Sequence, residues 1–450
     1  MATTQVTIRV LRRLLASGVT TRAERLLARM PPADVAPLFS SMTPDEIRTV
    51  IELLYRRRRA ARTLKELPPE MLPQVFEALT DQRLADVLAR LEIDDLIEVV
   101  EWVPEDRRSE VVNRLPVPTQ AELDRAGLYP ESSAGRAMTT SFIALDEKMT
   151  AEEAIDSIRA VGDDDESILY LYVVDDQQAL CGVVPIRRLV SAPPARTIAD
   201  LMIPDPVSVR ADDDQEEVAS VVARYDLLAV PVTDVDRRML GVITVDDVID
   251  VITEEATEDI YHLAGLSETD RIFSPAHLSV RKRMPWMLLN LGTCFLAAWV
   301  VGLFERSLEQ LVALAIFMPV VAGMAGNGGT QALTIITRGI ALSEIEFSSG
   351  LRAAGKELAV GLTIGTVTGL LSAVLATLWF DSPVLGLALF LAMIVSMAVA
   401  GLLGAAVPLA LKAMNQDPAL GSGVIVTTFT DVFAFFSFLG IATLLMDRFL

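Results

Sequence analysis

Five long apolar runs close the chain: Pro285–Phe304, Leu311–Thr337, Leu358–Phe380, Pro383–Leu411 and Ala419–Met446. A helix rises about 1.5 Å per residue, so roughly 20 apolar residues cross a hydrocarbon core of about 30 Å, and every run is long enough. Ahead of them the pattern changes twice. Residues 5–130 show short stretches of helical apolar spacing, such as Glu70–Leu79 and Arg83–Leu91, broken at Pro31–Pro32, Pro68–Pro69, Pro104 and Pro116. That pattern predicts short amphipathic helices in a small all-helical domain, with a superhelix as one arrangement. Residues 137–255 read instead as strand, helix, strand, strand, helix, and they do so twice.

The doubling is legible in the residues. Ala137-Met138-Thr139 is echoed by Leu201-Met202-Ile203, and Thr150-Ala151-Glu152-Glu153-Ala154 by Asp214-Gln215-Glu216-Glu217-Val218. Leu171–Asp175 is echoed by Ala229–Asp234, and Cys181-Gly182-Val183-Val184 by Leu240-Gly241-Val242-Ile243. Tandem copies of this pattern resemble a pair of cystathionine-β-synthase (CBS) modules. The resemblance implies a regulatory α+β domain that often binds adenosine nucleotides through a Thr and an Asp three residues on. The second copy keeps that pair as Thr244 and Asp247, whereas the first has Pro185 and Arg188. One nucleotide such as ATP is therefore the most the pair is expected to hold. The competing reading is that Thr244 only caps the helix that follows.

Charge is unevenly spread. The net charge is −21. Residues 137–260 alone carry 28 Asp and Glu against 9 Lys and Arg, a balance of −19. Nucleic acid and anionic lipid are poor partners for that surface, and divalent cations are good ones. The excess continues at helical spacing through Asp246, Asp247, Asp250, Glu254, Glu255, Glu258 and Asp259, with Asp247, Asp250, Glu254 and Glu258 on one face. A solvated face is the ordinary explanation. A cation-bridged helix explains it better here, because the helix runs towards the first apolar run. Asp94–Asp95, by contrast, reads as a solvated helix start.

Basic residues orient the runs. Arg281, Lys282, Arg283, Arg338, Arg352, Lys356 and Lys412 flank one side and only Arg306 and Arg448 the other. The first set is expected in the cytoplasm, with the N-terminus inside and the C-terminus outside. Residues 1–30 carry scattered arginines and no apolar core, so no signal peptide is expected. Cys181 and Cys294 offer no disulfide framework.

One carboxylate carries the chemistry of the apolar region. The five runs hold no Lys, Arg, Glu or His and a single acid, Asp431. A charge at mid-membrane costs roughly 2.5–3.5 kcal/mol on lenient scales, so it persists where it faces a partner or a water-filled path. Thr427, Thr428 and Thr430 surround it, and Asp417 lies about 21 Å earlier along a helix. Mg²⁺ gives up its water reluctantly, so one carboxylate among hydroxyls suits a hydrated ion better than a dry cage. The second run contains Gly323-Met324-Ala325-Gly326-Asn327-Gly328-Gly329-Thr330-Gln331. Small residues of this kind either pack helices closely or line an aqueous path.

Taken together, the order is a helical domain, a CBS pair, an acidic connecting helix and five spans. With Gly-Asn-x-Gly-x-Gln spacing in the second span and Thr-x-x-Asp in the fifth, it resembles the MgtE-type magnesium transporters. Further matches are Ala134-Gly135 with Met138, Tyr225-Asp226 with Pro231, Glu255–Ile260 and Asp417-Pro418-Ala419. Val424 stands where many members of that family have Pro, and Ala434 where some have Gly. The resemblance implies a homodimer in the plasma membrane with a pore between the second and fifth spans. Asp431, Asn327 and Thr428 would meet the Mg²⁺ cargo. Regulatory Mg²⁺ would be held by Asp214, Glu216, Asp226, Asp247, Asp250, Glu255, Glu258 and Asp259, with Asp95, Gly135 and Asp417, closing the connecting helix as a plug.

The expected domains are residues 1–130 (helical), 131–200 and 201–251 (CBS copies), 246–282 (plug and linker) and 283–450 (membrane). A transporter for Co²⁺ or Mn²⁺ is one alternative, opposed by the lack of Cys and His in the second and fifth runs. A membrane-anchored nucleotide sensor is another, opposed by Asp431. No enzyme is expected, since His262 and His277 lie in a linker with no nucleophile motif.

Overall fold

A computed structural model describes residues 2–16, 20–161, 170–267, 270, 275–342, 344–345 and 349–449. It divides into two compact units, Met1–Val251 and Ile252–Leu450.

The first unit opens with short helices, from Ala2–Ala16 to Val117–Ala126. Their ends are set by proline and by side-chain caps. In the helix Pro44–Arg56, the Thr43 hydroxyl accepts from Glu46 N, and Thr43 N donates to Glu46 Oε2 at 2.9 Å. This reciprocal box satisfies two of the donors that a helix start leaves open. Each helix turns an apolar stripe inwards, and Leu11, Phe39, Phe76, Leu88 and Leu96 are almost wholly enclosed. Short proline-broken segments thus give the expected all-helical domain.

The CBS pair follows as two sheets. The first orders as β1 (Ala144–Asp146), β2 (Tyr170–Val174), β3 (Leu180–Pro185) and β4 (Ile203–Pro204). The second orders as β5 (Val209–Arg210), β6 (Ala229–Thr233) and β7 (Met239–Thr244). In each copy the first strand pairs parallel and the next antiparallel, with an irregularity at Val173/Val174 and again at Val232/Thr233. The repeated Gly and Met explain each other. A Cβ on Gly182 would come within 2.6 Å of Met202 Sδ, and one on Gly241 within 2.8 Å of Met138 Sδ. Each copy's glycine therefore receives the methionine that opens the other copy.

The connecting helix, Val245–Leu263, begins in the first unit and ends in the second. Five further helices are long and apolar enough to cross a membrane: Ala276–Gly302, Ala313–Ala341, Gly350–Phe380, Pro383–Ala413 and Ser422–Phe449. The fourth is the most enclosed and the first the least. Close backbone approach holds the group together. Gly361, Gly365 and Gly369 form one row on the third helix and meet the fourth at Met393–Met397. A Cβ on Gly404 would lie 2.5 Å from Gly329 O and 2.7 Å from Ala332 Cβ. Gly404→Val should therefore cost about 1–3 kcal/mol through overpacking. The check is the thermal midpoint of the detergent-solubilised protein, which should fall by several degrees; an unchanged midpoint would contradict this packing.

The helices outrun the apolar runs that announce them. The third begins at Gly350, not Leu358, and so includes Arg352, Lys356 and Glu357. Glu357 is only 3% exposed, and its Oε1 lies 2.7 Å from Lys356 Nζ. Asp431 is therefore not the only enclosed acid of the membrane unit.

Candidate functional site

Asp431 lies in the body of the fifth span helix, half-buried. The threonines around it divide by role. Thr430 is buried, donates to Thr427 O at 3.0 Å, and turns its methyl towards the second span helix, where a Cβ on Gly329 would come within 3.1 Å. It belongs to the packing rather than to a path. Thr427 is exposed. Thr428, one turn before Asp431, donates to Val424 O at 2.7 Å, which leaves its oxygen lone pairs outward.

The glycine-rich stretch of the second span helix splits in the same way. Gly329 meets Val426 and Thr430, and Gly328 meets Met397. Gly323 and Gly326, in contrast, face open space. Gly323, Asn327, Thr330 and Thr334 follow one another at helical spacing on that open side, and all four are exposed. A row of small and polar residues in a membrane helix needs a cover other than lipid, either protein or water. The packing reading holds on one face of the stretch, and the other face carries the open row.

The end of the connecting helix reaches the start of the fifth span helix. The carbonyl of Leu263 stands where a Cβ on Gly423 would be. Gly421 has φ +63°, and a Cβ there would meet the Trp286 ring at 2.6 Å. Both its left-handed backbone and the indole beside it require glycine. A cavity of about 210 Å³ lies here, lined by His262, Gly265, Leu266, Ser267, Trp286 and Leu420.

Acidic groups collect at this contact. His262 Nδ1 is 2.7 Å from Asp417 Oδ2 and 3.6 Å from Glu258 Oε1. Asp417 Oδ1 also accepts from Ala419 N at 2.8 Å. Burial raises the pKa of Asp259, the charges of Asp417 and Glu255 raise it further, and His262 opposes them. Glu258 and Asp417 thus meet at His262, and the charges of Glu255 and Asp417 act on Asp259. His262, expected in a linker, is instead part of the connecting helix, and His277 lies at the start of the first span helix.

A second gathering lies within the first unit. Lys65 Nζ is 3.0 Å from Asp95 Oδ1 and 3.8 Å from Asp247 Oδ1. Burial works against the Lys65 charge, but Asp95 and Asp247 outweigh it and hold the ammonium protonated. Asp94 is beside them, pushed up to about 8 by burial and then by Asp247 and Asp95. Asp95 is pushed up to about 6 by burial, with Lys65 opposing. Asp94–Asp95 is therefore no solvated helix start. Asp247, from the second CBS copy, acts on both.

The remaining sequence candidates are placed separately. Asp214 is exposed and caps the helix Gln215–Tyr225, accepting from Glu216 N at 2.9 Å. Asp226 ends that helix in the left-handed conformation, and Glu216, Asp226 and Asp250 are exposed. Gly135 is buried; its N donates to Ala211 O at 2.8 Å, and a Cβ would strike the Tyr129 ring. Packing accounts for that glycine. Among the described residues, no group of three or more His, Cys, Asp or Glu converges as a metal centre within the one chain.

Thr244 and Asp247, the expected nucleotide pair, lie together. The Thr244 hydroxyl is 2.5 Å from Asp247 Oδ2 and also bonds the Asp246 carboxylate. The other oxygen of Asp247 faces Lys65. In the first copy, Arg188 Nη1 is spent on Leu201 O at 2.9 Å. A ribose at Thr244 and Asp247 would have to displace these contacts.

Sequence reading missed Lys65, His262 and Glu357. Only the last left a signal: Glu357 continues, at intervals of four, the row Gly361, Gly365, Gly369.

Comparison with known proteins accords with this layout. The family described as a divalent cation transporter matches residues 318–441, the MgtE intracellular N domain matches 30–132, and the CBS domain matches 134–195 and 198–254. The magnesium transporter MgtE of Thermus thermophilus is 34% identical over 443 residues, 97% of this chain and 98% of that one. The magnesium transporter MgtE of Bacillus subtilis is 29% identical over 430 residues, 96% and 95% of the two chains. Among solved structures, the cytosolic domain of the Mg²⁺ channel MgtE in complex with ATP is 36% identical at a TM-score of 0.52, covering 54% of this chain and 99% of that one. The soluble part of a magnesium transporter is 27% identical at a TM-score of 0.53, covering 56% and 99%. The helical domain, the CBS pair, the five apolar helices and the near full-length identity agree, and the chain belongs to the MgtE family of magnesium transporters.

Proposed function

We propose that two copies of the chain form a plasma-membrane channel that admits Mg²⁺ to the cytoplasm and shuts when cytosolic Mg²⁺ is high. The observation that carries this reading is the half-buried Asp431 on the fifth span helix, beside a second span helix with an open row of Gly323, Asn327, Thr330 and Thr334. Each copy would supply one carboxylate, with Asn327 and Thr428 as neutral oxygen partners. Two carboxylates facing one dication from opposite sides leave its inner water largely in place, as Mg²⁺ prefers. The seven basic flanks against two support a cytoplasmic first unit, with the C-terminus outside.

Closure follows from carboxylate repulsion. Regulatory Mg²⁺ would be held by Asp214, Glu216, Asp226, Asp250, Glu255, Glu258 and Asp259, with Gly135 and Asp417, whereas Asp95 and Asp247 already have the Lys65 ammonium between them. Charge at the Glu255, Glu258, Asp259 and Asp417 cluster is the most direct lever, because it lies where Leu263 meets Gly423. A dication there neutralises both sides and keeps the connecting helix against the fifth span helix. Its loss leaves like charges facing each other, and the contact loosens. The chemistry that bound Mg²⁺ supplies is this neutralisation alone.

Uptake into liposomes holding a Mg²⁺-sensitive dye tests the reading. Purified protein should admit Mg²⁺ in preference to Co²⁺ and Mn²⁺ when all are offered at equal concentration. Faster Co²⁺ or Mn²⁺ entry would reassign the cargo, and no entry of any ion would favour a sensor held in the membrane.

A further inference from the structure

We propose that Lys65 is a tethered cation that clamps the helical domain onto the second CBS copy, so that this junction holds without a bound dication. Its two carboxylate partners come from different domains. Asp95 lies in the helix Ile93–Glu101 of the helical domain, and Asp247 opens the connecting helix at the end of the second CBS copy. The ammonium stands between them, 3.0 Å from one and 3.8 Å from the other. Asp247 is fixed on its far side by the Thr244 hydroxyl. Asp94 adds a third carboxyl, whose Oδ1 is buried with no hydrogen-bond partner.

Without Lys65, Asp95 and Asp247 would face each other across the junction without the ammonium that stands between them. Partly buried like charges repel far more strongly than exposed ones, and leaving them uncompensated is more damaging than the pair itself is stabilising. The ammonium thus removes the repulsion that would otherwise make docking of the helical domain depend on Mg²⁺.

The test uses hydrogen exchange on the full chain in lipid nanodiscs, with excess chelator and then with millimolar Mg²⁺. Peptides from Ile93–Glu101 report docking, and peptides from β6 and β7 report whether the CBS pair stays folded. In chelator, the wild type and Lys65→Arg should exchange slowly through Ile93–Glu101. Lys65→Met should exchange there about tenfold faster, as expected for a local opening, with β6 and β7 unchanged, and Mg²⁺ should restore slow exchange. Slow exchange of Lys65→Met in chelator would overturn the proposal. So would a wild type, or a Lys65→Arg variant, that exchanges fast until Mg²⁺ is added, since the dication would then be the clamp. No transport is measured, so failure here leaves the channel reading standing, and failure of the channel reading leaves this result intact.

Discussion

Asp431→Ala is expected to abolish Mg²⁺ flux while leaving the protein folded. The side chain is half-buried in the fifth span helix, and its removal takes the only carboxylate from the body of that helix. A hydrated dication entering the membrane region loses part of its bulk solvation, and a fixed negative charge is what offsets that loss. Thr428 and Asn327 supply neutral oxygens only, which cannot replace the charge. Each 1.4 kcal/mol lost from ion stabilisation is about tenfold in occupancy. Loss of a full charge in a low-dielectric path should therefore reduce flux by about a hundredfold or more. Packing should survive, because Val426, Thr430, Ala434 and Phe438 carry the buried face of this helix and none is touched. Asp431→Glu keeps the charge and should retain partial flux. Dye-based uptake into liposomes, with the thermal midpoint as a folding control, checks both variants. Wild-type uptake by Asp431→Ala would remove Asp431 from the path.

Joint neutralisation of the connecting helix, as Asp247→Asn, Asp250→Asn and Glu258→Gln, is expected to leave the channel open at high cytosolic Mg²⁺. In the wild type these acids spread along the connecting helix, with Asp247 at the Lys65 junction and Glu258 beside His262 and Asp417. Neutral side chains neither repel one another nor hold a dication firmly, so Mg²⁺ no longer has a lever on the helix. Flux in the variant should change less than about twofold between chelator and millimolar Mg²⁺, where the wild type falls by about tenfold or more, the scale of a 1.4 kcal/mol bias. Closure of the variant at the wild-type Mg²⁺ concentration would move the gate elsewhere. Asp431 is untouched, so the open variant also serves as a flux control.

The fold was largely legible because its strongest signals are periodic. Five long apolar runs, charged only at Asp431, required five membrane helices, and the paired Gly and Met of the two CBS copies pack against each other. Asp431 stood out for the same reason, as a break in an apolar pattern. What stayed hidden depends on contacts between residues far apart in the chain. Lys65 looks like any surface lysine until Asp95 and Asp247 are brought to it, and His262 is unremarkable until Asp417 arrives from a position 155 residues away. Thr430 is equivalent to its neighbours in the sequence, yet Gly329 claims it for helix packing. Glu357 was masked by Lys356, because a window of mean hydropathy ends where charges begin, whereas a helix does not.

The most direct test of a Mg²⁺-gated Mg²⁺ path is current through purified protein in a lipid patch, with Mg²⁺ as the only permeant cation. Mg²⁺ on the face carrying the soluble unit is stepped from chelator to millimolar. The account predicts Mg²⁺-carried current in chelator that shuts as Mg²⁺ on that face rises, and that is absent from Asp431→Ala. Current that ignores Mg²⁺ on that face would contradict the gate, and current that persists in Asp431→Ala would contradict the path.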